Sequence, residues 1–310
     1  MADNTSLEGF LNTQDLTISN ILLENLILFY DWGFIDKGGF YNINMPASGI
    51  YGGDKSVLKN VTDPNYANGK VWQANRGNWV WETGTTLGTP ISISGVYVNG
   101  ALNTTGYNID YKNGKVIFDS PVSVSSNVKL QYSQKYINVV PSRGIPWLRQ
   151  IQQFSNRVDD RQFTFSGSGE WAILGQTRVQ IPAIAIEVLP PKELNGYQLG
   201  GGKNIYNDVI FHVITGNDWQ CSNILDQISL QNERDITLFN PNRAMASGVY
   251  PFDKNGYLRQ GALPSGLYPN LVKNFNYRKC FIHDTRAPSI SQLSPDLYIG
   301  TIRCSTEVRD

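Results

Sequence analysis

Imidazole chemistry has two places to happen in this chain, His212 and His283. His283 is followed by Asp284, an arrangement in which a carboxylate can orient the ring for base catalysis. Nothing in the sequence completes a nucleophilic set: there is no G-x-S-x-G turn and no cysteine in a context that would activate it. His212 sits in an alternating run with Ile210 and Ile214 on its own face, and reads as a hydrogen-bonded histidine in or beside a core. Cys221, Cys280 and Cys304 lack zinc-site spacing and read as reduced, buried thiols. No D-x-D-x-D-G calcium loop occurs. Gly200-Gly201-Gly202-Lys203 invites a phosphate-loop reading, but Tyr197 stands where the first glycine belongs and Asn204 where a magnesium-binding hydroxyl belongs. It reads as a turn between strands. The expectation is a chain with no catalytic residue, no metal and no cofactor.

Aromatic and basic residues offer binding rather than reaction. Trp72, Trp79 and Trp81 cluster in sequence, and Trp79 and Trp81 share a face if that stretch is extended. Such rings suit the apolar faces of sugars, so a carbohydrate- or receptor-binding tail or baseplate protein is the alternative reading; core or interface packing is the simpler one. A hydrolase would need two placed carboxylates, and no Asp or Glu pair is singled out by spacing. Arg143, Arg149, Arg157 and Arg161 could touch DNA. The chain, however, balances 26 basic against 26 acidic residues, without the basic excess of a nucleic-acid binder. Ion pairs between subunits are the better use for these arginines, and a net charge of zero leaves little repulsion between copies.

The elements that must position these residues are legible in part. Ile18, Ile21, Leu22, Leu26 and Phe29 follow helical spacing from about Thr17 to Trp32, with Gly33 as the expected stop. This helix is apolar on most sides, so either it packs within the domain, the simpler reading, or part of it meets another subunit, with Leu22, Leu26 and Phe29 as the interface candidates. A loop-rich stretch follows to about Gly95. From Val96 to Val140, alternating runs separated by Asn99-Gly100 and Asn113-Gly114 predict hairpins, because these pairs accept the positive φ of tight turns. They make a compact β-sandwich or small barrel. Pro146 opens an expected helix bearing Trp147, Ile151 and Phe154 on one face, with Arg149, Arg157 and Arg161 on the flank. Beyond it come an apolar strand from Ile181 to Leu189, a strand from Asp208 to Thr215, and a helix capped at Asn217 or Asp218. That helix carries Cys221, Ile224, Leu225 and Ile228 as its buried stripe. Short strands from Ile236 to Phe239 and Tyr277 to His283, then a closing strand from Leu297 to Val308, complete an α+β unit. Residues 240–276 read as a long irregular stretch. The fold expected is α+β and β-rich, divided into an N-terminal helical segment (1–40), a β-rich hairpin domain (41–142) and an α+β domain (143–310).

With 29 glycines and 36 aromatic residues in 310, the composition suits a β protein with many turns. No secretory leader is read at the start and no stretch is long enough to span a bilayer; the unpaired cysteines suit assembly in a reducing cytoplasm.

Two stretches carry a resemblance. One is Asn20-Ile21-Leu22-Leu23-Glu24-Asn25-Leu26, continuing through Asp31-Trp32-Gly33-Phe34-Ile35 to Gly38-Gly39-Phe40-Tyr41-Asn42-Ile43. The other begins at Gly196-Tyr197-Gln198-Leu199-Gly200-Gly201-Gly202. It runs on through Val209-Ile210-Phe211-His212-Val213 and Ile224-Leu225-Asp226 to the closing strand from Leu297 to Val308. Together they cover roughly half the chain and resemble virion structural proteins of long-tailed phages, especially those of the neck. The resemblance implies a subunit of a hexameric or dodecameric ring, assembled in the host cytoplasm and carried in the virion. Its neighbours would be portal or adaptor, tail tube and sheath proteins, with DNA only as passing cargo and no membrane. It further implies a tail-terminator-like C-terminal domain. No catalytic residues carry over, and residues 240–276 depart from the pattern.

Overall fold

The computed structural model describes residues 18–45, 54–143, 163–165, 171–174, 177–196, 203–251 and 266–309. The first half runs α1 (Ile18–Asp36), β1 (Phe40–Ile43), β2 (Val57–Asn60), β3 (Val71–Gln73), β4 (Val96–Val98), β5 (Ala101–Asn103), β6 (Tyr107–Asp110), β7 (Lys115–Phe118), β8 (Val128–Leu130), β9 (Tyr132–Lys135) and β10 (Asn138–Pro141). Three short strands follow, β11 (Phe163–Phe165), β12 (Trp171–Leu174) and β13 (Thr177–Gln180). The second half runs β14 (Ala183–Val188), β15 (Glu193–Gly196), β16 (Lys203–Thr215), α2 (Asp218–Ser229), β17 (Arg234–Phe239), α3 (Pro241–Ala246), α4 (Tyr268–Asn274), β18 (Asn276–His283), β19 (Ser289–Ser294) and β20 (Leu297–Arg309). The protein is mixed α+β and rich in strand, as its composition leads one to expect.

Two large sheets organise it. The first has seven strands in the order β5-β4-β8-β2-β3-β7-β6. Of the two expected Asn-Gly turns, Asn113-Gly114 instead ends a four-residue loop between Asp110 and Lys115, with positive φ at Gly114 alone. Asn99-Gly100 is a tight turn: both residues take positive φ, at 51° and 87°, the geometry a type I′ turn demands. Its core holds Leu58, Trp72, Trp79, Val96, Val116, Leu130 and Tyr132.

The second sheet has eight strands. Six lie in the order β10-β14-β16-β20-β18-β17, while β15 pairs with β16 and β19 with β20. At its centre β16 and β20 run antiparallel through eleven paired residues, from Ile205↔Val308 to Thr215↔Tyr298. Alternate residues of such strands face opposite sides. Val209, Phe211 and Val213 therefore point one way and join a core with Ile302 and Cys304. Helix α2 covers that face. Asn217 caps it by accepting from the Gln220 N–H at 2.8 Å, and it buries Cys221, Ile224, Leu225 and Ile228, the stripe predicted from spacing. Gly300 permits the approach, since a Cβ there would stand 2.6 Å from Cys221 Sγ and Leu225 Cδ1.

Helix α1 lies on the same side and corrects two expectations. Gly33 does not stop it: the helix continues to Asp36 and ends at Gly38, whose φ is 85°. A glycine costs a helix about 1 kcal/mol, which burial of Ile35 just beyond it outweighs. Nor are Leu22 and Leu26 at an interface. They are 0% and 1% exposed and belong to the core shared with Val209, Phe211 and Ile302. The "irregular" stretch also holds two short helices, α3 and α4, together with Tyr250; Leu28 of α1 packs with them around Phe239.

Candidate functional site: a groove at a free strand edge

Strand β17 ends the second sheet, pairing with β18 and with no other described strand. At its C-terminal end the free edge is satisfied by a side chain. The Phe239 N–H donates to Asn25 Oδ1 at 2.9 Å, and Asn25 Nδ2 donates to the Phe239 carbonyl at 3.0 Å. The amide of a helix residue thus imitates a neighbouring strand. The next residue points the other way, its N–H donating to the Phe275 carbonyl at 2.8 Å.

This fixes the direction of every main-chain group along β17. In a strand, both polar groups of a residue leave by the same edge and alternate from residue to residue. Thr237 and Asp235 therefore aim their N–H and C=O groups off the sheet, as Phe239 does. No described group bonds to them. The register slip near Thr237 and Phe239 does not disturb this, because its extra residue is on β18.

Beside this open edge lies a groove of about 820 Å³. Its walls are Phe29 and Trp32 of α1, Leu230 just after α2, and Tyr268 and Val272 of α4; the segment from Arg234 to Thr237 forms its floor. The Arg234 guanidinium sits 5.3 Å from the centre of the Phe29 ring, and Tyr268 meets the same ring edge-on at 5.9 Å. Leu230 is 78% exposed. Gly33 lines the groove as well, and a Cβ built on it meets nothing within 4 Å. Of the three interface candidates on α1, only Phe29 reaches this surface.

Two ionic clusters lie elsewhere. Lys135 of β9 is buried with two carboxylates, Asp31 of α1 at 2.5 Å and Glu82 at 3.2 Å. Burial, opposed by the Lys135 ammonium and reinforced by the Asp31 charge, pushes the Glu82 carboxyl up to about 7. Burial works against the Lys135 charge too, but its two carboxylates outweigh it and hold the ammonium above its ordinary range. The Glu82 carboxylate accepts the Trp81 N–H at 3.1 Å, and the Tyr111 hydroxyl is held up to about 12, chiefly by burial. On the outer face of the second sheet, Asp208 of β16 accepts from Lys192 and Arg303, with Ser305 at 3.2 Å. Despite its burial these donors hold its carboxyl below the usual range. Neither cluster was found from sequence, because the partners are far apart in the chain.

The residues singled out by sequence fall as follows. His212 is buried beside Glu187 at 3.2 Å, the hydrogen-bonded histidine expected. His283 Nδ1 is 3.0 Å from Asp284 Oδ2. The three cysteines are free and buried, and burial pushes the thiols of Cys221 and Cys304 up to about 11 and about 12. Trp72, Trp79 and Trp81 are 2%, 1% and 3% exposed, so they present no platform to a ligand. Trp72 and Trp79 donate to the carbonyls of Gly69 and Arg76, and Trp79 packs on Tyr132 at 4.5 Å. No strand carries Trp79 and Trp81; Trp79 makes only an isolated bridge to Gln134. Arg149, Arg157 and Arg161, and the helix expected to hold them, lie outside the described residues, as do Gly200 to Gly202. Among the described residues no group of three His, Cys, Asp or Glu is placed to hold a metal ion. No helix among them is long and apolar enough to cross a membrane.

No protein-family model matches this sequence, and no curated protein matches it.

Proposed function

We propose that this chain is a structural subunit of a tailed-phage virion, forming a ring of six or twelve copies at the neck between portal and tail tube. The observation that carries the assembly part of this reading is the open edge of β17 beside its apolar groove. A strand edge with free main-chain groups is a template for another chain, and large apolar residues lining an open groove are the usual material of protein interfaces. Zero net charge leaves like subunits free to approach. Placement at the neck draws on the two stretches that resemble neck proteins. The succession β14, β16, α2, β17, β18, β20, with helices on one face, is the kind of arrangement expected of a tail-terminator-like domain. The role is mechanical, with no chemical step assigned.

Negative-stain images and sedimentation velocity of the purified full chain test this directly. Closed rings, or binding to a portal or tail-tube protein, are the expected result. A strict monomer with affinity for neither overturns the reading.

A further inference from the structure

The edge of the second sheet is a step. Along its C-terminal half β20 is followed outward by β18 and then β17; Arg234 stands opposite Ile282, which stands opposite Thr306. Along its N-terminal half β20 is followed, among the described strands, by β19 alone, with Ser289 opposite Thr301. A main-chain bond from Arg286 N to the Arg303 carbonyl, 2.8 Å, keeps the chain between β18 and β19 on the same track. The sheet therefore protrudes by one strand more at one end than at the other, a difference of about 4.8 Å. Strands β17 and β19 have six residues each, and they begin at equal distances from the Arg303–Cys304 stretch of β20.

Such a step is its own complement. Turned through a two-fold axis normal to the sheet, level with Arg303 along the strands but in line with β17, two strand spacings outward from β20, a second copy presents its shallow end to the first copy's deep end. We infer that a second copy of this chain adds its β19 to the free edge of β17, and receives the first copy's β19 on its own β17, joining two sheets into one. The contact is isologous, as two-fold contacts are, and pairs the added strand parallel to β17. This goes beyond the ring reading above and stands apart from it: contacts between neighbours around a cyclic ring are heterologous, so an isologous pair joins copies outside that ring.

The side chains agree with the backbone. Strand β19, Ser-Ile-Ser-Gln-Leu-Ser, carries no charge, and four of its six residues are exposed. Edge strands are ordinarily guarded by charges, and this one has none. Ile290 is 39% exposed and lies opposite Gly300, whose Cβ direction meets α2. Its side chain is therefore on the helix side of the sheet, the side where the groove opens. On the receiving strand, Asp235 and Thr237 offer two N–H and two C=O groups.

The test is Thr237→Pro in the full chain, read by sedimentation velocity and by hydrogen exchange at residues 235 and 237. The substitution removes an N–H that makes no bond within the described chain, and edge strands tolerate proline at such positions. Thr237→Val keeps the N–H and serves as control. Wild type is expected to associate with protection at both amides. Thr237→Pro, with unchanged circular dichroism, should weaken association about tenfold or more and at least halve the particle mass, while Thr237→Val assembles normally. Ile290→Lys, a change at an exposed donor residue, should act the same way from the other side. Wild-type assembly that survives both Thr237→Pro and Ile290→Lys overturns this contact and leaves the ring reading standing. Two-fold dimers that never close into rings support the contact and overturn the ring.

Discussion

The two ionic clusters invert one another. Around Lys135, one ammonium serves two carboxylates; around Asp208, one carboxylate serves two cations. They also differ in their access to water. The side chains of Lys135, Asp31 and Glu82 are 6%, 11% and 2% exposed, whereas Lys192 and Arg303 are 46% and 36% exposed around an Asp208 that is 1% exposed. Excess positive charge at Asp208 is therefore hydrated, and the carboxyl stays ionised. Excess negative charge at Lys135 has little water to meet, so burial raises the proton affinity of the more buried carboxyl, Glu82. The direction of each pKa shift follows from which partner is in surplus and whether the surplus reaches solvent.

The largest effect that would break this contrast is expected from Lys135→Met. It leaves Asp31 and Glu82 buried together without a cation, and removing one partner of a buried pair costs about 3–5 kcal/mol. Urea unfolding at pH 8 should show that loss. Lowering the pH should return part of it, as the orphaned Glu82 carboxyl takes up a proton. A loss below about 1 kcal/mol would mean that water reaches the cluster after all.

Glu82→Gln sharpens the comparison through its pH dependence. A carboxyl whose folded pKa is raised from 4.5 to about 7 binds its proton more tightly folded than unfolded. Its contribution is thus fully present below about pH 4.5 and is lost as the pH rises through about 7. The difference between those limits is roughly 3 kcal/mol, at 1.36 kcal/mol for each tenfold change in proton affinity. The glutamine variant should show a flatter stability profile across this window, and should gain on the wild type at pH 8. Identical profiles for variant and wild type would refute the assignment. Lys135 does not add to this slope, since an ammonium held above its ordinary range stays charged throughout.

How far the sequence reveals such features depends on how local their causes are. The α2 stripe was legible because Cys221, Ile224, Leu225 and Ile228 lie within two turns. Strands β14, β16 and β20 were legible because long apolar runs alternate within themselves, and the Asn99-Gly100 hairpin because two residues decide it. The Lys135 cluster was not, since its carboxylates are 104 and 53 residues away, and they meet only because α1 brings Asp31, and the segment bridged at Trp79↔Gln134 brings Glu82, to β9. The β17 edge was hidden for the same reason: Asn25 covers part of it from 214 residues away. Strand β19 is not legible in the sequence because a serine-rich run has little β propensity of its own; pairing with β20 holds it extended. Trp79 and Trp81 misled because they share a strand-like spacing without a strand.

On the other side of the comparison, Asp208→Asn should cost about 1.5–3 kcal/mol at neutral pH, the range for hydrogen bonds to a charged group. The penalty is smaller than for Lys135→Met because the freed Lys192 and Arg303 can turn to water. Its pH dependence runs opposite to that of Glu82. A carboxyl with a lowered folded pKa stabilises above its unfolded pKa, and that stability is lost as the pH falls through the folded value. The difference between wild type and Asp208→Asn should therefore shrink only in acid, below about pH 4, a window that guanidinium titrations at pH 7 and pH 3 would bracket.

The smallest effect should come from Lys192→Ala. Lys192 is the more exposed of the two cations, at 46%, and an exposed ion pair contributes about 0–1 kcal/mol. Removing it leaves Asp208 with Arg303 and Ser305, so the carboxylate still has a cation and is not left bare. The change at neutral pH should stay within about 0.5 kcal/mol and shrink further in 1 M salt, where the Debye length falls to about 3 Å. The Lys135→Met loss should hardly respond to salt, because no ion reaches that cluster. Salt sensitivity therefore separates the two regions even where their hydrogen bonds look alike. A Lys192→Ala loss of several kcal/mol, insensitive to salt, would show that the Asp208 cluster is as sealed as the one around Lys135 and would remove the contrast between them.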